Sequence, residues 1–285
     1  MGRARPNPTA GALDELSQAD FERVRSMIHR HAGIALHPGK HGMVFSRLSR
    51  RLRALGKSDF AGYLDALEGA GSRTHEWQEF VNALTTNLTS FFREAHHFPV
   101  LAQHLQQRAA QGAVQLWCCA ASTGEEPYSM AMTALDSVAH LGTPVSILAT
   151  DIDTAVLDKA RRGIYPLAAV AGLDPALRKR HFLRGRAGNA GLVRVRPEAL
   201  ALVELRALNL LQPTWPMHGK FDAIFCRNVM IYFDKPTQRH LLERLAARLK
   251  PGGLLFAGHA ENFTAAQDLF ELQGKTVYRL AASRG

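Results

Sequence analysis

Val114-Gln-Leu-Trp-Cys-Cys-Ala-Ala-Ser-Thr-Gly-Glu-Glu-Pro-Tyr-Ser129 is the stretch of this sequence that decides the fold. It begins as an apolar run, passes through a turn that contains Gly124, and continues as an amphipathic helix pattern in which Pro127 suits a first helical position. A strand that leads through a tight turn into a helix is typical of open α/β sheets, whose ligands bind at the carboxyl ends of the strands. The stretch therefore predicts a small-ligand site at the end of this strand.

Short apolar runs continue to alternate with helix patterns along the rest of the chain. The predicted strands are residues 145–149, 221–225, 254–257 and 276–280. Such alternation favours a largely parallel sheet that is covered by helices.

Two further parts are predicted on either side of this pattern. Apolar stripes at helical spacing run from Asp20 to about Thr86 and predict a small helical domain, in which Ser58 is the N-cap of a helix that starts at Phe60. Between residues 163 and 205, three segments look like short strands of an antiparallel insertion, namely 181–184, 192–196 and 201–205. We predict a disordered start over residues 1–13, the helical domain over 14–86, and an α/β domain over 87–285 with an inserted β-subdomain at about 163–205.

The composition is that of an ordinary globular protein with a basic surface. The chain is 46% hydrophobic and 21% charged, and its formal net charge of +10 favours an anionic partner. No apolar run reaches the roughly 20 residues of a membrane helix, and the first residues lack the apolar core of a signal peptide. We therefore expect a cytoplasmic protein with no membrane insertion. The three cysteines lack Cys-x-x-Cys spacing and predict buried, reduced thiols with no metal site.

Acidic residues near the strand ends indicate the chemical class of the ligand. Asp151 follows the second strand, about 20 to 30 residues past the glycine turn. In nucleotide-binding α/β folds a carboxylate at this spacing accepts hydrogen bonds from ribose hydroxyls. Asp153 fits better as the N-cap of the next helix. Because the turn has only Gly124, it disfavours a dinucleotide, whereas Glu125 and Glu126 suit a nucleoside with a cationic amino-acid tail. We assign Glu125 to the ligand and Glu126 to a structural role.

Several segments, taken in order, resemble the CheR-type chemotaxis receptor methyltransferases. They are Thr86-Asn-Leu-Thr-Ser-Phe-Phe-Arg-Glu94, Ser122-Thr-Gly-Glu-Glu-Pro-Tyr-Ser129, Ala149-Thr-Asp-Ile-Asp153, Leu208-Asn-Leu-Leu211 and Cys226-Arg-Asn-Val-Met-Ile-Tyr-Phe233. With the helical front domain and the inserted strands, the resemblance covers all but the extreme N-terminus. It implies an α/β fold with the Rossmann-like sheet of class I methyltransferases. It also implies S-adenosylmethionine as cofactor, S-adenosylhomocysteine as product, and glutamates on the cytoplasmic helices of chemoreceptors as substrate.

The resemblance further implies the residues of the site. Tyr232 would lie near the transferred methyl, and Arg93 and Tyr232 would be the catalytic residues, which orient the substrate carboxylate. The cofactor-binding set would be Asn87, Thr89, Arg93, Glu125, Asp151, Asn209, Leu210, Cys226 and Arg227. On the residue patterns alone, purely structural roles stay open, because Asn87 and Thr89 suit helix caps, Asn209 suits a turn, and Tyr232 suits the core.

Two surfaces are candidates for binding the receptor. Arg47, Arg50 and Arg51 share one helix face, which is commonly only a solvated charged face, but the resemblance favours docking to glutamate-rich receptor helices. The inserted strands resemble a subdomain that in some members of the family binds a short peptide at the receptor's C-terminus by strand addition. We expect a monomer.

Three other functions are weighed against this one. An RNA or DNA methyltransferase would share the sheet and the basic charge, but Arg227-Asn-Val-Met230 is not the Pro-Pro-Tyr/Phe motif found around flipped bases. We therefore expect no nucleic-acid partner. A nicotinamide dehydrogenase is disfavoured by the missing glycines. A regulator that binds S-adenosylmethionine without transferring a methyl would have the same fold, and the presence of Arg93 and Tyr232 argues against it.

Overall fold

The computed structural model describes residues 15–263 and 266–281, and the chain divides into two compact units between Thr85 and Thr86. The predicted disordered start, residues 1–13, lies outside the described residues. Within the described ranges, no helix has both the length and the apolar character that a membrane crossing needs.

The described part of the first unit contains four α-helices. They are α1 (Gln18–Ala32), α2 (His41–Ala54), α3 (Phe60–Ala70) and α4 (His75–Leu84). The predicted apolar stripes form the core of this unit, since Phe21, Leu48 and Phe80 are all 0% exposed. The N-cap of α3 is Asp59, whose carboxylate accepts two N–H groups of the first turn. The prediction of Ser58 was wrong because Asp59 directly precedes the first helical residue.

The second unit is built on a seven-stranded sheet flanked by helices. Its strands are β1 (Val114–Cys118), β2 (Val145–Asp151), β6 (Val203–Ala207), β7 (Phe221–Cys226), β8 (Leu249–Ala257), β9 (Phe270–Gly274) and β10 (Val277–Leu280). They lie in the order β6-β2-β1-β7-β8-β10-β9. The first five strands in this order run parallel to one another, and β10 is antiparallel to both β8 and β9. The α-helices of this unit are α5 (His97–Ala109), α6 (Glu125–Val138), α7 (Thr154–Arg162), α8 (Pro175–His181), α9 (Pro197–Leu200) and α10 (Lys235–Arg248).

The insertion forms a separate three-stranded antiparallel sheet. Its strands β3 (Ile164–Pro166), β4 (Phe182–Arg184) and β5 (Leu192–Val195) lie in the order β3-β5-β4. The prediction that residues 201–205 supply the third strand was wrong, since that segment is part of β6, which pairs with β2 in the main sheet. An apolar pattern identifies a strand but not its partner. The true third strand, β3, is three residues long and ends in proline, so it left a weak signal.

The strand order fixes where the ligand site lies. β1 pairs with β2 on one side and with β7 on the other, so the order reverses at β1. In open α/β sheets a crevice forms outside the carboxyl ends of the strands at such a reversal. All six residues of β7 are buried, which makes it a central strand whose end opens directly into this crevice.

Candidate functional site

The loop between β1 and α6 is packed in a conformation that requires glycine at its end. Gly124 has φ +101°, and a Cβ atom there would lie 2.7 Å from the Tyr165 hydroxyl oxygen and 2.9 Å from the Ala160 Cβ. Tyr165 also donates its hydroxyl to the Thr123 carbonyl oxygen at 2.7 Å. This packing fixes the start of α6 at the carboxyl end of β1. The helix starts at Glu125, so Pro127 is its third residue and not its first, a place in the first turn that proline tolerates.

Asp151, the last residue of β2, is hydrogen-bonded to this loop. Its Oδ2 accepts the Ser122 N–H at 2.8 Å, and its Oδ1 accepts the Asp153 N–H at 2.9 Å. Burial raises the pKa of the Asp151 carboxyl to about 6, although the two N–H donors act in the opposite direction. Each carboxylate oxygen has a second acceptor position, so Asp151 can still accept a hydrogen bond from a ligand hydroxyl.

The segment that precedes α5 joins the same edge of the sheet. Asn87 Nδ2 donates to Asp153 Oδ2 at 2.7 Å, and Ser122 Oγ donates to the Asn87 carbonyl oxygen at 2.9 Å. Asp153 also caps α7 by accepting two N–H groups of its first turn, as predicted. The structure therefore brings Asn87 and Asp151 together through Ser122 and Asp153, and Asn87 does not cap a helix.

Arg227 lies in the interior, where it supports the segment that carries Arg93. Its Nη1 donates to Glu126 Oε2 at 2.7 Å, and its Nη2 donates to the Arg93 carbonyl oxygen at 2.6 Å. Its Nη2 also lies 3.5 Å from Glu94 Oε1, and the Arg227 side chain is 0% exposed. Burial raises the pKa of the Glu126 carboxyl, while the Arg227 charge lowers it. Protein groups thus occupy Nη1 and Nη2 of the guanidinium, whereas the buried Nε has no hydrogen-bond partner within the described residues.

The two proposed catalytic side chains are both partly exposed. Arg93 Nη1 donates to the Leu88 carbonyl oxygen at 2.8 Å, which leaves further N–H donors of the guanidinium. Tyr232 ends a one-turn 3-10 helix, Met230–Tyr232, that follows β7. Arg93 and Tyr232 are therefore accessible to a substrate group.

The remaining predicted cofactor contacts differ in accessibility. Glu125 is buried and accepts the Thr123 hydroxyl at 2.6 Å, and burial raises its pKa. Cys226 is 0% exposed and Leu210 is 6% exposed, so their side chains pack in the core. Asn209 and Thr89 are partly exposed, and Asn209 Oδ1 accepts the Leu211 N–H at 2.9 Å. Asn209 thus makes the turn contact that its residue type suits.

Sequence reasoning missed three residues that organise this site. Ser122 links Asp151 to Asn87, Tyr165 closes on Gly124, and Glu261 accepts backbone N–H groups of the segment that carries Tyr232. Ser122 and Glu261 both lie in loops that directly follow strands of the main sheet, which was the available signal. Tyr165 lies in β3, which the patterns did not reveal.

The small sheet contacts the segment that carries Arg93 through aromatic side chains. Phe91 packs edge to face on Tyr165 of β3, with ring centroids 4.9 Å apart, and on Phe182 of β4 at 5.1 Å. Both pairs fall in the range of favourable aromatic contacts. The insertion is therefore part of the support of the site.

A groove of about 890 Å³ lies beside β4. Its apolar lining includes Val170, Phe182 and Val193, and its basic lining includes Arg178, Lys179, Arg184, Arg186 and Arg196. β4 is an edge strand of the small sheet, so its outer backbone groups lack a strand partner within the described residues. The groove therefore combines a free strand edge with positive charge.

The three predicted docking arginines of α2 have different surroundings within the first unit. Arg51 forms an ion pair with Glu76, with Nε 2.8 Å from Oε1, and its Nη1 is 3.6 Å from Glu79 Oε2. Arg47 donates to the Thr85 carbonyl oxygen at 2.6 Å. Arg50 is exposed. Of the three, Arg50 presents its charge most directly to solvent.

The chemistry of the crevice fits S-adenosylmethionine better than a phosphorylated nucleotide. Residues 119–126 contain two carboxylates and no basic side chain. Arg227 balances the charge of Glu126, which leaves the Glu125 carboxylate to repel a phosphate group and to stabilise a ligand with a sulfonium and an ammonium group. Asp151 lies at the end of β2, where nucleotide-binding sheets of this type carry a carboxylate.

Comparison with known proteins supports the same cofactor. The family model "CheR methyltransferase, SAM binding domain" matches residues 87–279, and "CheR methyltransferase, all-alpha domain" matches residues 19–85. The chemotaxis protein methyltransferase of Salmonella typhimurium is 52% identical over 94% of this chain and 92% of its own length. That of Escherichia coli is 52% identical over 93% of this chain and 92% of its own length. Chemotaxis protein methyltransferase 2 of Pseudomonas aeruginosa is 51% identical over 98% of this chain and 99% of its own length.

The matches span both units, and the second unit has the strand order and the crevice expected for a nucleoside-binding α/β sheet. The chain belongs to the CheR family of S-adenosylmethionine-dependent methyltransferases that act in chemotaxis.

Proposed function

We propose that this enzyme methylates glutamate side chains on the cytoplasmic helices of chemotaxis receptors, giving glutamate methyl esters and S-adenosylhomocysteine. The observation that supports the reaction most directly is the juxtaposition at the carboxyl edge of the sheet. Asp151 ends β2 and Glu125 starts α6 at this edge, where Arg227 contacts both Glu126 and the Arg93 carbonyl oxygen and where the turn that carries Tyr232 follows β7. We infer that the enzyme acts as a monomer in the cytoplasm, where the receptor helices lie.

The reaction needs no general base. S-adenosylmethionine, when bound, would supply an electrophilic methyl group. Transfer of this methyl to a carboxylate oxygen would form the C–O bond of the ester, break the S–CH3 bond and release S-adenosylhomocysteine. A glutamate with an ordinary pKa of about 4.3 is already ionised at neutral pH. The work of the protein is to position the carboxylate and to exclude water, because opposite charges neutralise as the transition state forms.

Arg93 and Tyr232 are proposed to orient the substrate carboxylate. Arg93 keeps guanidinium N–H donors beyond the one that contacts Leu88, and Tyr232 offers a phenol donor. Arg227 and Glu126 act indirectly, since their ion pair holds the Arg93 backbone. Asn87, Thr89, Glu125, Asp151 and the backbone near Asn209, Leu210, Cys226 and Arg227 are proposed to bind the cofactor.

We propose that α2 docks on the glutamate-rich receptor helices through electrostatic attraction. Arg50 supplies the most exposed charge of the predicted set, and Arg53, three residues further along the helix, is also exposed. Residues three apart lie on one helix face, so these two charges are displayed together. Charges at the rim of an interface mainly increase the association rate, which makes the methylation sensitive to salt.

We propose that the groove beside β4 binds a receptor C-terminal peptide as an added strand. The free edge of β4 supplies backbone partners, and Phe182 and Val193 supply an apolar surface for its side chains. The arginines that line the groove favour an acidic peptide.

Methyl transfer from labelled S-adenosylmethionine to receptor-containing membranes tests this function. We expect base-labile label on the receptor, and none on a receptor whose methylated glutamates are replaced by alanine. Label on tRNA instead would contradict the proposal, and tight cofactor binding without any receptor label would indicate a regulator. In the same assay, Arg93→Ala and Tyr232→Phe should lower kcat. Unchanged turnover in both variants would remove these residues from the mechanism.

A further inference from the structure

Glu261 lies in the loop that follows β8, and its carboxylate is shared by two loops at the carboxyl edge of the sheet. Its Oε1 accepts the N–H groups of Val229 at 2.9 Å and Met230 at 2.8 Å. Its Oε2 accepts the N–H groups of Asn228 at 3.0 Å and Gly258 at 2.5 Å. One buried side chain thus satisfies four backbone donors, three of them in the segment after β7.

The segment after β7 needs such support. Asn228 has φ +57°, a left-handed conformation that costs energy in a residue other than glycine. The two loops are also in close contact, because a Cβ atom on Gly258 would lie 2.3 Å from Asn228 Nδ2 and 2.9 Å from the Asn228 backbone nitrogen. The carboxylate of Glu261 therefore offsets the strain and fixes the distance between the loops.

The segment held in this way runs between two groups of the site. It starts after Arg227, whose guanidinium contacts Glu126 and the Arg93 carbonyl, and it ends at Tyr232. Three consecutive N–H groups bound to one anion fix the direction of the 3-10 turn that carries Tyr232. Burial raises the pKa of the Glu261 carboxyl, whereas the four N–H donors lower it and favour the anion.

We propose that Glu261 is a positioning residue for methyl transfer, which holds the turn from Asn228 to Tyr232 in its working geometry at the cofactor crevice. It is not expected to touch the substrate. This inference deepens the proposed function, because it rests on the placement of Tyr232 at the methyl-transfer site.

Kinetics of Glu261→Gln test the inference, because glutamine keeps one acceptor oxygen and places an N–H₂ group against two N–H donors. We expect kcat to fall by about tenfold or more while the KM for the receptor changes by less than about threefold. We also expect faster hydrogen exchange at the Asn228, Val229 and Met230 amides. Glu271→Gln removes an exposed carboxylate on β9 and serves as the matched control, with kcat unchanged.

A double-mutant cycle separates positioning from a general structural role. If Glu261 acts on the turn of Tyr232, the kcat of Glu261→Gln/Tyr232→Phe should be within about twofold of the slower single variant. A kcat in the double variant equal to the product of the two single effects would overturn the inference. So would a kcat of Glu261→Gln within about twofold of the wild type.

Two further outcomes, a Glu261→Gln variant that does not fold and a Tyr232→Phe variant with unchanged turnover, also have defined consequences. If Glu261→Gln does not fold, Glu261→Asp keeps the charge but is too short to reach all four donors, and an unchanged kcat in that variant would contradict the inference. Unchanged turnover of Tyr232→Phe would contradict the catalytic role proposed for Tyr232. The role of Glu261 would then be decided by the kcat and the amide exchange of Glu261→Gln.

Discussion

Arg227 and Glu126 form an ion pair inside the carboxyl edge of the sheet, with Nη1 2.7 Å from Oε2 and no more than a tenth of either side chain exposed. Breaking a buried pair leaves one charge without a partner, which commonly costs about 3 to 5 kcal/mol. We expect Arg227→Met to lower the free energy of unfolding of the second unit by an amount in this range and to lower cofactor affinity as well. Urea unfolding followed by tryptophan fluorescence measures the first effect.

The exposed pair Arg239 and Asp268 is the control for this prediction. Arg239 Nη2 lies 2.6 Å from Asp268 Oδ2, but the side chains of Arg239 and Asp268 are 38% and 58% exposed. Because water screens the attraction between two exposed charges, such a pair contributes little to stability. Asp268→Asn should therefore change the free energy of unfolding only slightly. Equal losses in Arg227→Met and Asp268→Asn would show that burial does not strengthen the inner pair.

Gly124→Ala should weaken binding of S-adenosylhomocysteine by about tenfold or more. The added Cβ would meet the Tyr165 hydroxyl at 2.7 Å in a backbone conformation of φ +101°, so the loop must move. Gly142→Ala is the matched control, because Gly142 has φ +67° and nothing within 4 Å of the added atom. Titration calorimetry should show unchanged affinity for Gly142→Ala, and an unchanged affinity for both variants would disprove the importance of the packed loop.

Cofactor affinity should fall as the pH is lowered through about 6, the pKa to which burial raises Asp151. Only the ionised carboxylate has both oxygens fully available as acceptors, so protonation removes capacity to bind ribose hydroxyls. Between about pH 7.5 and about pH 5 we expect a loss of about tenfold. Calorimetric titrations across this range measure it. Asp151→Asn should bind more weakly and show a flatter profile, and the same slope in both proteins would assign the pH dependence to another group.

Arg50→Glu and Arg51→Glu should affect methylation for different reasons. Arg50 is exposed, so its reversal should slow receptor methylation at low salt and leave the stability of the first unit unchanged. Arg51 pairs with Glu76, which also accepts the Tyr63 hydroxyl at 2.8 Å, so its reversal should destabilise the helical unit. Initial rates at two salt concentrations, together with thermal unfolding, distinguish the two effects.

Lys220→Glu is the control for these charge reversals. Lys220 is exposed and directly precedes β7, at the edge of the sheet opposite to the crevice. The same change in net charge there should leave the methylation rate unaltered. An equal decrease in Lys220→Glu and Arg50→Glu would mean that overall charge, and not α2, controls the association.

Local sequence signals predicted the parts of the fold that depend on local structure. The run from Val114 to Ser129 forms the expected strand, turn and helix, and Asp153 caps α7 because the residue type and its position just before a helix determine that contact. The prediction that the three cysteines are buried, free thiols is confirmed. It also depended on local sequence, because the cysteines lie in apolar runs.

The parts that sequence reasoning missed depend on distant partners. Residues 201–205 have a strand pattern, but only the tertiary fold decides that this strand pairs with β2. Arg227 follows a buried strand, and its sequence position does not reveal that its side chain turns inward to Glu126. Glu261 lies 33 residues after Asn228, which belongs to the turn that Glu261 holds, so no local periodicity connects the two residues.

The aromatic contacts of Phe91 with Tyr165 and Phe182 limit how freely the small sheet can be exchanged between relatives. A chimera that carries the small sheet of another chemotaxis methyltransferase would import a different groove beside β4. It would also replace the rings against which the Arg93 segment rests and the hydroxyl that closes on Gly124. A change of the groove must therefore alter strand edges and groove side chains while it retains Tyr165 and Phe182, because the insertion cannot be exchanged as an independent module.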